Sequence, residues 1–261
     1  MYHELRKQGT SRMSVTAAMV NSVVERAPPL LRVAGLAKRY GEQNALAAVS
    51  FDVRAGEVLG LIGPNGAGKT TLLEALAGLI PVEAGELMWH GAPTPSTERR
   101  DMMFYLPDGL RPWDDELVPR VLTFFAAVHG RTEREVAETI GSVGLAPVLR
   151  KRVHTLSKGY ARRLMLALAL LTPQPLLLMD EPFDGFDLRQ TRDVMGLIRR
   201  VAASGRTLVL AIHQLADAER VCDRFVLLAD GAVRGAGTLD ELRGQTKLIA
   251  ASLEDIFLAL T

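Results

Sequence analysis

The apolar positions of this chain fall into two kinds of run. Some are short and continuous: Val58 to Ile62, Leu176 to Met179, and Thr207 to Ile212. Apolar segments of that length between polar or turn residues predict strands buried on both faces. Other runs space their apolar residues at helical intervals, and these predict helices over Thr70–Leu79, Leu117–His129, Glu133–Val143, Ala161–Leu171, Leu188–Ala203 and Ser252–Leu260. Leu30–Tyr40 and Ala45–Arg54 predict two strands across the turn-rich Gly41-Glu42-Gln43-Asn44. Short strands are expected at Glu86–Gly91, Met102–Leu106 and Asp223–Leu228, the last followed by the turn Asp230-Gly231 and one more strand. Two helices between strands, Leu117–His129 and Glu133–Val143, suggest an inserted lobe. Residues 1–29 show no sustained periodicity, end on Pro28-Pro29, and predict a poorly ordered extension. Asn21, Glu25 and Arg26 interrupt any secretory signal there.

Composition narrows the class. The chain has 261 residues, 48% of them hydrophobic, and a formal net charge of +1, so it can bury a large core. That balance gives no overall attraction to nucleic acid or anionic lipid. A lone cysteine, Cys222, excludes an internal disulfide and a cysteine-based zinc site. The most apolar run, Leu164 to Leu171, lies between Arg162-Arg163 and Pro173 and is too short to span a bilayer.

The chemistry concentrates after the strand Val58–Ile62. Gly63-Pro64-Asn65-Gly66-Ala67-Gly68-Lys69-Thr70 fits the phosphate-loop pattern G-x-x-x-x-G-K-[ST], followed by Thr71 at the start of a predicted helix. A glycine-rich turn between strand and helix points backbone N–H groups into one concavity, and the positive end of the helix adds to its attraction for phosphate. Lys69 would reach the β- and γ-phosphates of a nucleoside triphosphate, and the Thr70 hydroxyl would ligate Mg²⁺. A second apolar strand ends in Asp180 and Glu181, where an aspartate would serve the Mg²⁺ site and a glutamate would polarise the attacking water. Tyr40 could stack on the adenine ring, as every base offers a π-face, or simply pack at a strand end. Ser157 starts a helix with Gly159 close behind, which is either an ordinary cap or a second anion site. His213, at the end of a core strand, is a structural residue or a sensor of the γ-phosphate.

Taken together, these pieces resemble the nucleotide-binding subunit of an ATP-binding cassette (ABC) transporter over roughly residues 30 to 261. Tyr40 matches the adenine-stacking loop, Gly63 to Thr71 the phosphate loop, and Leu156 to Tyr160 the family signature, normally LSGGQ. Leu176 to Glu181 match the Mg²⁺ strand with its catalytic glutamate, Asp187 the dimer-contact aspartate, and His213 the switch histidine. The segment Leu156-Ser157-Lys158-Gly159 and the ending Leu253 to Leu258 look most like the single-cassette exporter branch. The resemblance implies an α/β fold: a P-loop NTPase (RecA-like) core with an antiparallel β subdomain and an inserted α-helical subdomain, about 108–172. It also implies that two cassettes, two copies or two related chains, pair head to tail. Ser157 and Gly159 of each would then face the γ-phosphate held by the other. Lys69, Glu181 and His213 would carry hydrolysis, and the chain would sit on the inner face of the membrane, held there by a permease subunit.

The pattern departs from the family in places. Where the family usually has a glutamine that touches Mg²⁺ and water, this chain has Leu106-Pro107-Asp108, which makes Asp108 the nearest counterpart as a metal ligand or a hinge. Lys158 and Tyr160 replace a signature glycine and glutamine, and Phe186-Asp187-Leu188 replaces leucine-aspartate-proline. The alternative reading is a soluble single-cassette ATPase acting in cofactor assembly or another non-transport process.

Overall fold

The computed structural model describes residues 28–261 except Arg111 and Ile249. The expected disorder of the N-terminal extension therefore concerns residues that lie almost wholly outside the described ones. The chain enters as two long antiparallel strands, β1 (Leu31–Tyr40) and β2 (Gln43–Val53). It then runs through the centre as β3 (Val58–Ile62) into helix α1 (Lys69–Ala77). β4 (Ala84–Trp89) and β5 (Ala92–Pro93) return to the sheet of β1, and the short α2 (Arg99–Met102) feeds β6 (Met103–Leu106). Three helices follow, α3 (Val118–Val128), α4 (Glu133–Val143) and α5 (Lys158–Leu171). Next come β7 (Leu176–Asp180), α6 (Leu188–Ala203), β8 (Thr207–Ile212) and α7 (Leu215–Val221). The hairpin β9 (Arg224–Ala229) and β10 (Ala232–Gly237) precedes α8 (Leu239–Thr246) and α9 (Leu253–Leu260).

The strands form two sheets, a four-stranded antiparallel one ordered β2-β1-β4-β5 and a six-stranded one ordered β10-β9-β3-β8-β7-β6. In the larger sheet β3, β6, β7, β8 and β9 run parallel, and every residue of β3, β7, β8 and β9 is buried. Covered faces explain the continuous apolar runs: with a two-residue period, alternate side chains must all be apolar. Leu59, Leu61, Leu176, Leu178, Val209 and Ala211 face α1 and the antiparallel sheet, meeting Leu72, Leu73, Leu76, Leu31 and Leu36. Val58, Ile62, Leu177, Met179, Leu208 and Leu210 face the other way, into a core shared with α3 to α9.

Helix α5 is apolar nearly all round because it runs through that second core, and Leu164 to Leu171 serve there. Spacing does not predict α7 and α8. At seven and eight residues, with Leu215, Ala218 and Val221 on the first and Leu239 and Leu242 on the second facing the core, each holds too few apolar positions to show a period. Among the described residues, no helix is long and apolar enough to cross a membrane.

Register places the functional loops. Ile62 pairs with Ile212, Asp180 with Ala211, and Leu106 with Met179. The segments that follow β3, β6, β7 and β8 therefore leave the sheet at one end. Gly63, Asp108, Glu181 and His213, far apart in sequence, emerge side by side. Crevices at the carboxyl ends of parallel strands are where open α/β sheets bind ligands.

Candidate functional site

A cavity of about 420 Å³ opens at that end of the sheet. Tyr40, Gln43 and Ala45 line it, together with Asn65, Gly66 and Gly68 to Thr71 of the loop and helix start, and Asp108, Asp180 and Glu181. The loop beneath it is tightly constrained. A Cβ on Gly63 would lie 2.3 Å from the Leu228 carbonyl oxygen, and one on Gly68 would lie 2.5 Å from that of Ala45. Gly68 has φ +101° and stands at the N-terminus of α1, which no side chain caps. The first-turn N–H groups of α1 are thus left to the cavity. Ala67 is buried under the loop, while the Pro64 carbonyl turns back toward Lys69.

The Lys69 ammonium is buried, donating to the carbonyl oxygens of Gly63 at 2.7 Å and Pro64 at 3.3 Å. Its pKa lies below the ordinary lysine value because burial disfavours the charge, and the nearby Glu181 and Asp180 carboxylates offset part of that. Glu181 Oε1 is 3.9 Å from this ammonium, and Glu181 Oε2 is 2.7 Å from His213 Nδ1. A carboxylate can only accept, so this contact requires the proton on Nδ1. Thr70 Oγ1 donates to Asp180 Oδ2 at 2.6 Å. The Tyr105 hydroxyl has its pKa raised chiefly by burial and then by the charge of Asp180.

Tyr40 is half exposed at the cavity rim, with the Lys38 ammonium 5.2 Å from its ring centre. Asp108 lines the cavity too, yet its carboxylate is held by Nη2 of Arg162 on α5. Ser157 and Gly159 do not line the cavity. Ser157 caps α5 by accepting from the Tyr160 amide at 3.4 Å, and Gly159 packs against the loop before α6, where an added Cβ would meet Gln190 Oε1 at 3.2 Å. Lys158 donates to Asp184 at 2.7 Å, and Asp187 caps α6 by accepting from the Gln190 amide at 2.9 Å. Sequence reasoning missed Arg162. An arginine in an apolar helix carries no pattern that names a partner.

A buried lysine in a glycine loop, a threonine bonded to a strand-end aspartate and a glutamate–histidine pair define a phosphate-loop nucleoside triphosphatase. Residues 46–184 match the family described as ABC transporter. The chain is 31% identical over 218 residues to an uncharacterized ABC transporter ATP-binding protein of Methanocaldococcus jannaschii, covering 82% of this chain and 79% of that one. It is 36% identical over 223 residues to the Nod factor export ATP-binding protein I of Ralstonia nicotianae, covering 82% and 68%. A solved structure titled as the ATP binding subunit of an ABC transporter superposes with a TM-score of 0.80 at 34% identity, covering 88% of this chain and 99% of the other. The chain belongs to the ABC transporter family. It is an ATP-binding and ATP-hydrolysing transporter subunit, and the soluble, non-transport alternative is set aside.

Proposed function

We propose that hydrolysis is carried out by Glu181 as general base, with Lys69 and His213 on either side of it, and that it drives export through a separate membrane-embedded subunit. The observation that carries the reading is the Glu181 carboxylate itself. One oxygen lies 2.7 Å from His213 and the other 3.9 Å from the phosphate-loop lysine, at the wall of the cavity. A carboxylate in that position can accept a proton from water while His213 fixes its orientation. Lys69 is held by neutral carbonyls that an anionic phosphate would outcompete for its charge. Tyr40 offers a ring face to the adenine.

Thr70 and Asp180 would hold Mg²⁺. A hydroxyl and a carboxylate 2.6 Å apart beside a phosphate cradle suit a small hard cation that takes its remaining ligands from phosphate and water. When bound, Mg²⁺ neutralises charge on the phosphate oxygens.

Ser157 and Gly159 lie outside this cavity at the N-terminus of α5, so they would serve the nucleotide of a second cassette, a copy of this chain or a relative. The partner's signature would close this one, a two-state switch biased by ligand contacts. The segment from Asp108 through α5 would pass closure to a permease. The edge-to-face pair Trp113 and Phe124, ring centres 5.3 Å apart and both about half exposed, gives it an apolar contact surface. Likeness to a subunit named for Nod factor export supports the outward direction. The chain would then lie at the inner face of the membrane.

Glu181→Gln tests the reading. The variant should bind ATP, lose turnover by about 100-fold or more, and elute as a dimer in ATP and Mg²⁺ on size exclusion. Full turnover would reject the base, and a monomer would reject a pair made of two copies.

A further inference from the structure

We infer that Arg162 is a positioning residue for Glu181, and that Asp108 is the anchor of Arg162 rather than a ligand of Mg²⁺. The inference deepens the proposed function and rests on Glu181 being the base. The Arg162 side chain is 5% exposed and crosses from α5 to the loops at the carboxyl end of the sheet. Its Nη2 donates to the Asp108 carboxylate and also to the Glu181 carbonyl oxygen, at 2.7 Å, while Nη1 reaches the Pro107 carbonyl at 3.5 Å. One guanidinium therefore binds the signature helix, the β6 exit and the β7 exit together. A planar fork of donors does this where a lysine ammonium would not.

The backbone of Glu181 shows what this achieves. Its φ is +45°, a left-handed conformation uncommon for any residue with a side chain. Strain of this kind persists only where the surroundings hold it. Here both sides of the residue are tied. The Glu181 amide donates to the Ala211 carbonyl at 3.0 Å, and its carbonyl accepts from Arg162 at 2.7 Å and from the Asp184 amide at 3.1 Å. Fixed this way, the side chain meets His213 on one oxygen and Lys69 on the other. A buried guanidinium needs a counter-charge, and Asp108 supplies it. With its charge spent on Arg162, Asp108 adds little repulsion to a cavity that already holds Asp180 and Glu181. The side of Asp108 away from the nucleotide borders a separate cavity of about 180 Å³, and its carboxylate is about half exposed, so truncating it disturbs no core packing.

Asp108→Ala decides the matter. ATPase kinetics should show kcat reduced about tenfold or more with the KM for ATP changed by less than about twofold. The Mg²⁺ concentration for half-maximal rate should stay at the wild-type value, and so should the affinity for a fluorescent ADP analogue measured without Mg²⁺ or turnover. Asp108→Glu should recover most of the rate, because it restores the anion. A raised Mg²⁺ requirement in Asp108→Ala would make Asp108 a metal ligand and overturn the inference, as would an unchanged kcat. Arg162→Lys should show the same drop in kcat at an unchanged KM for ATP, and a wild-type kcat in that variant would also overturn the inference. Glu181→Gln separates the two readings. If it still turns over, the base assignment fails; if it is inactive while Asp108→Ala is fully active, only the role of Arg162 and Asp108 fails.

Discussion

Gly66 and Gly68 stand two residues apart in the phosphate loop, both with positive φ, and the structure asks different things of them. At Gly66, φ +85°, an added Cβ meets nothing within 4 Å. At Gly68, φ +101°, it would meet the Ala45 carbonyl oxygen at 2.5 Å, and at Gly63 the Leu228 carbonyl at 2.3 Å. Gly66→Ala should therefore cost only the left-handed backbone, about 1–2 kcal/mol. Gly63→Ala and Gly68→Ala should cost about 3 kcal/mol or more, because backbone must move. Urea denaturation of the three variants checks the order, and equal losses would contradict it. The motif is legible in the sequence, but which glycine serves the fold and which stays open to the cavity is not. The carbonyls that crowd Gly63 and Gly68 belong to β9 and β2, remote in sequence.

Among the elements, helix ends carry the clearest local chemistry. Thr132 with Glu135 and Ser252 with Asp255 form capping boxes at α4 and α9. The Thr132 backbone and then side-chain hydrogen bonds hold the Glu135 carboxyl below its ordinary value, and the Ser252 side-chain and backbone bonds do the same for Asp255. A carboxyl depressed by folding contributes stability that is fully present above its unfolded pKa and is lost as pH falls through the folded one. Ser252→Ala should therefore melt below wild type at neutral pH, and the gap should close below the ordinary carboxylate range. Melting curves across that range test it. A gap that stays unchanged in acid would mean the Asp255 carboxylate gains nothing from the box. The long, strongly periodic elements are read correctly from spacing because one apolar stripe or one continuous run dictates each of them. α7 and α8 escape because docking, not pattern, makes them helical.

At the scale of the whole molecule, the consequences lie at the surfaces. Trp113 and Phe124 present an aromatic pair on the segment that follows Asp108. The double change Trp113→Ala and Phe124→Ala should leave ATP hydrolysis of the isolated subunit within about twofold of wild type, since neither ring lines the nucleotide cavity. It should reduce recovery of a multi-span membrane protein with the tagged subunit from detergent extracts. Full recovery would move the contact elsewhere.

By itself the sequence determined the phosphate loop, the acidic end of β7, the parallel strands and the order of the motifs, since each depends on neighbours in the chain. Only the tertiary structure decided that Asp108 belongs to Arg162 and that Ser157 stays out of this chain's own cavity. Those outcomes depend on strand register and on the path of α5 through the core. Register brings residues tens of positions apart within hydrogen-bonding distance, and no local pattern encodes which of them will meet.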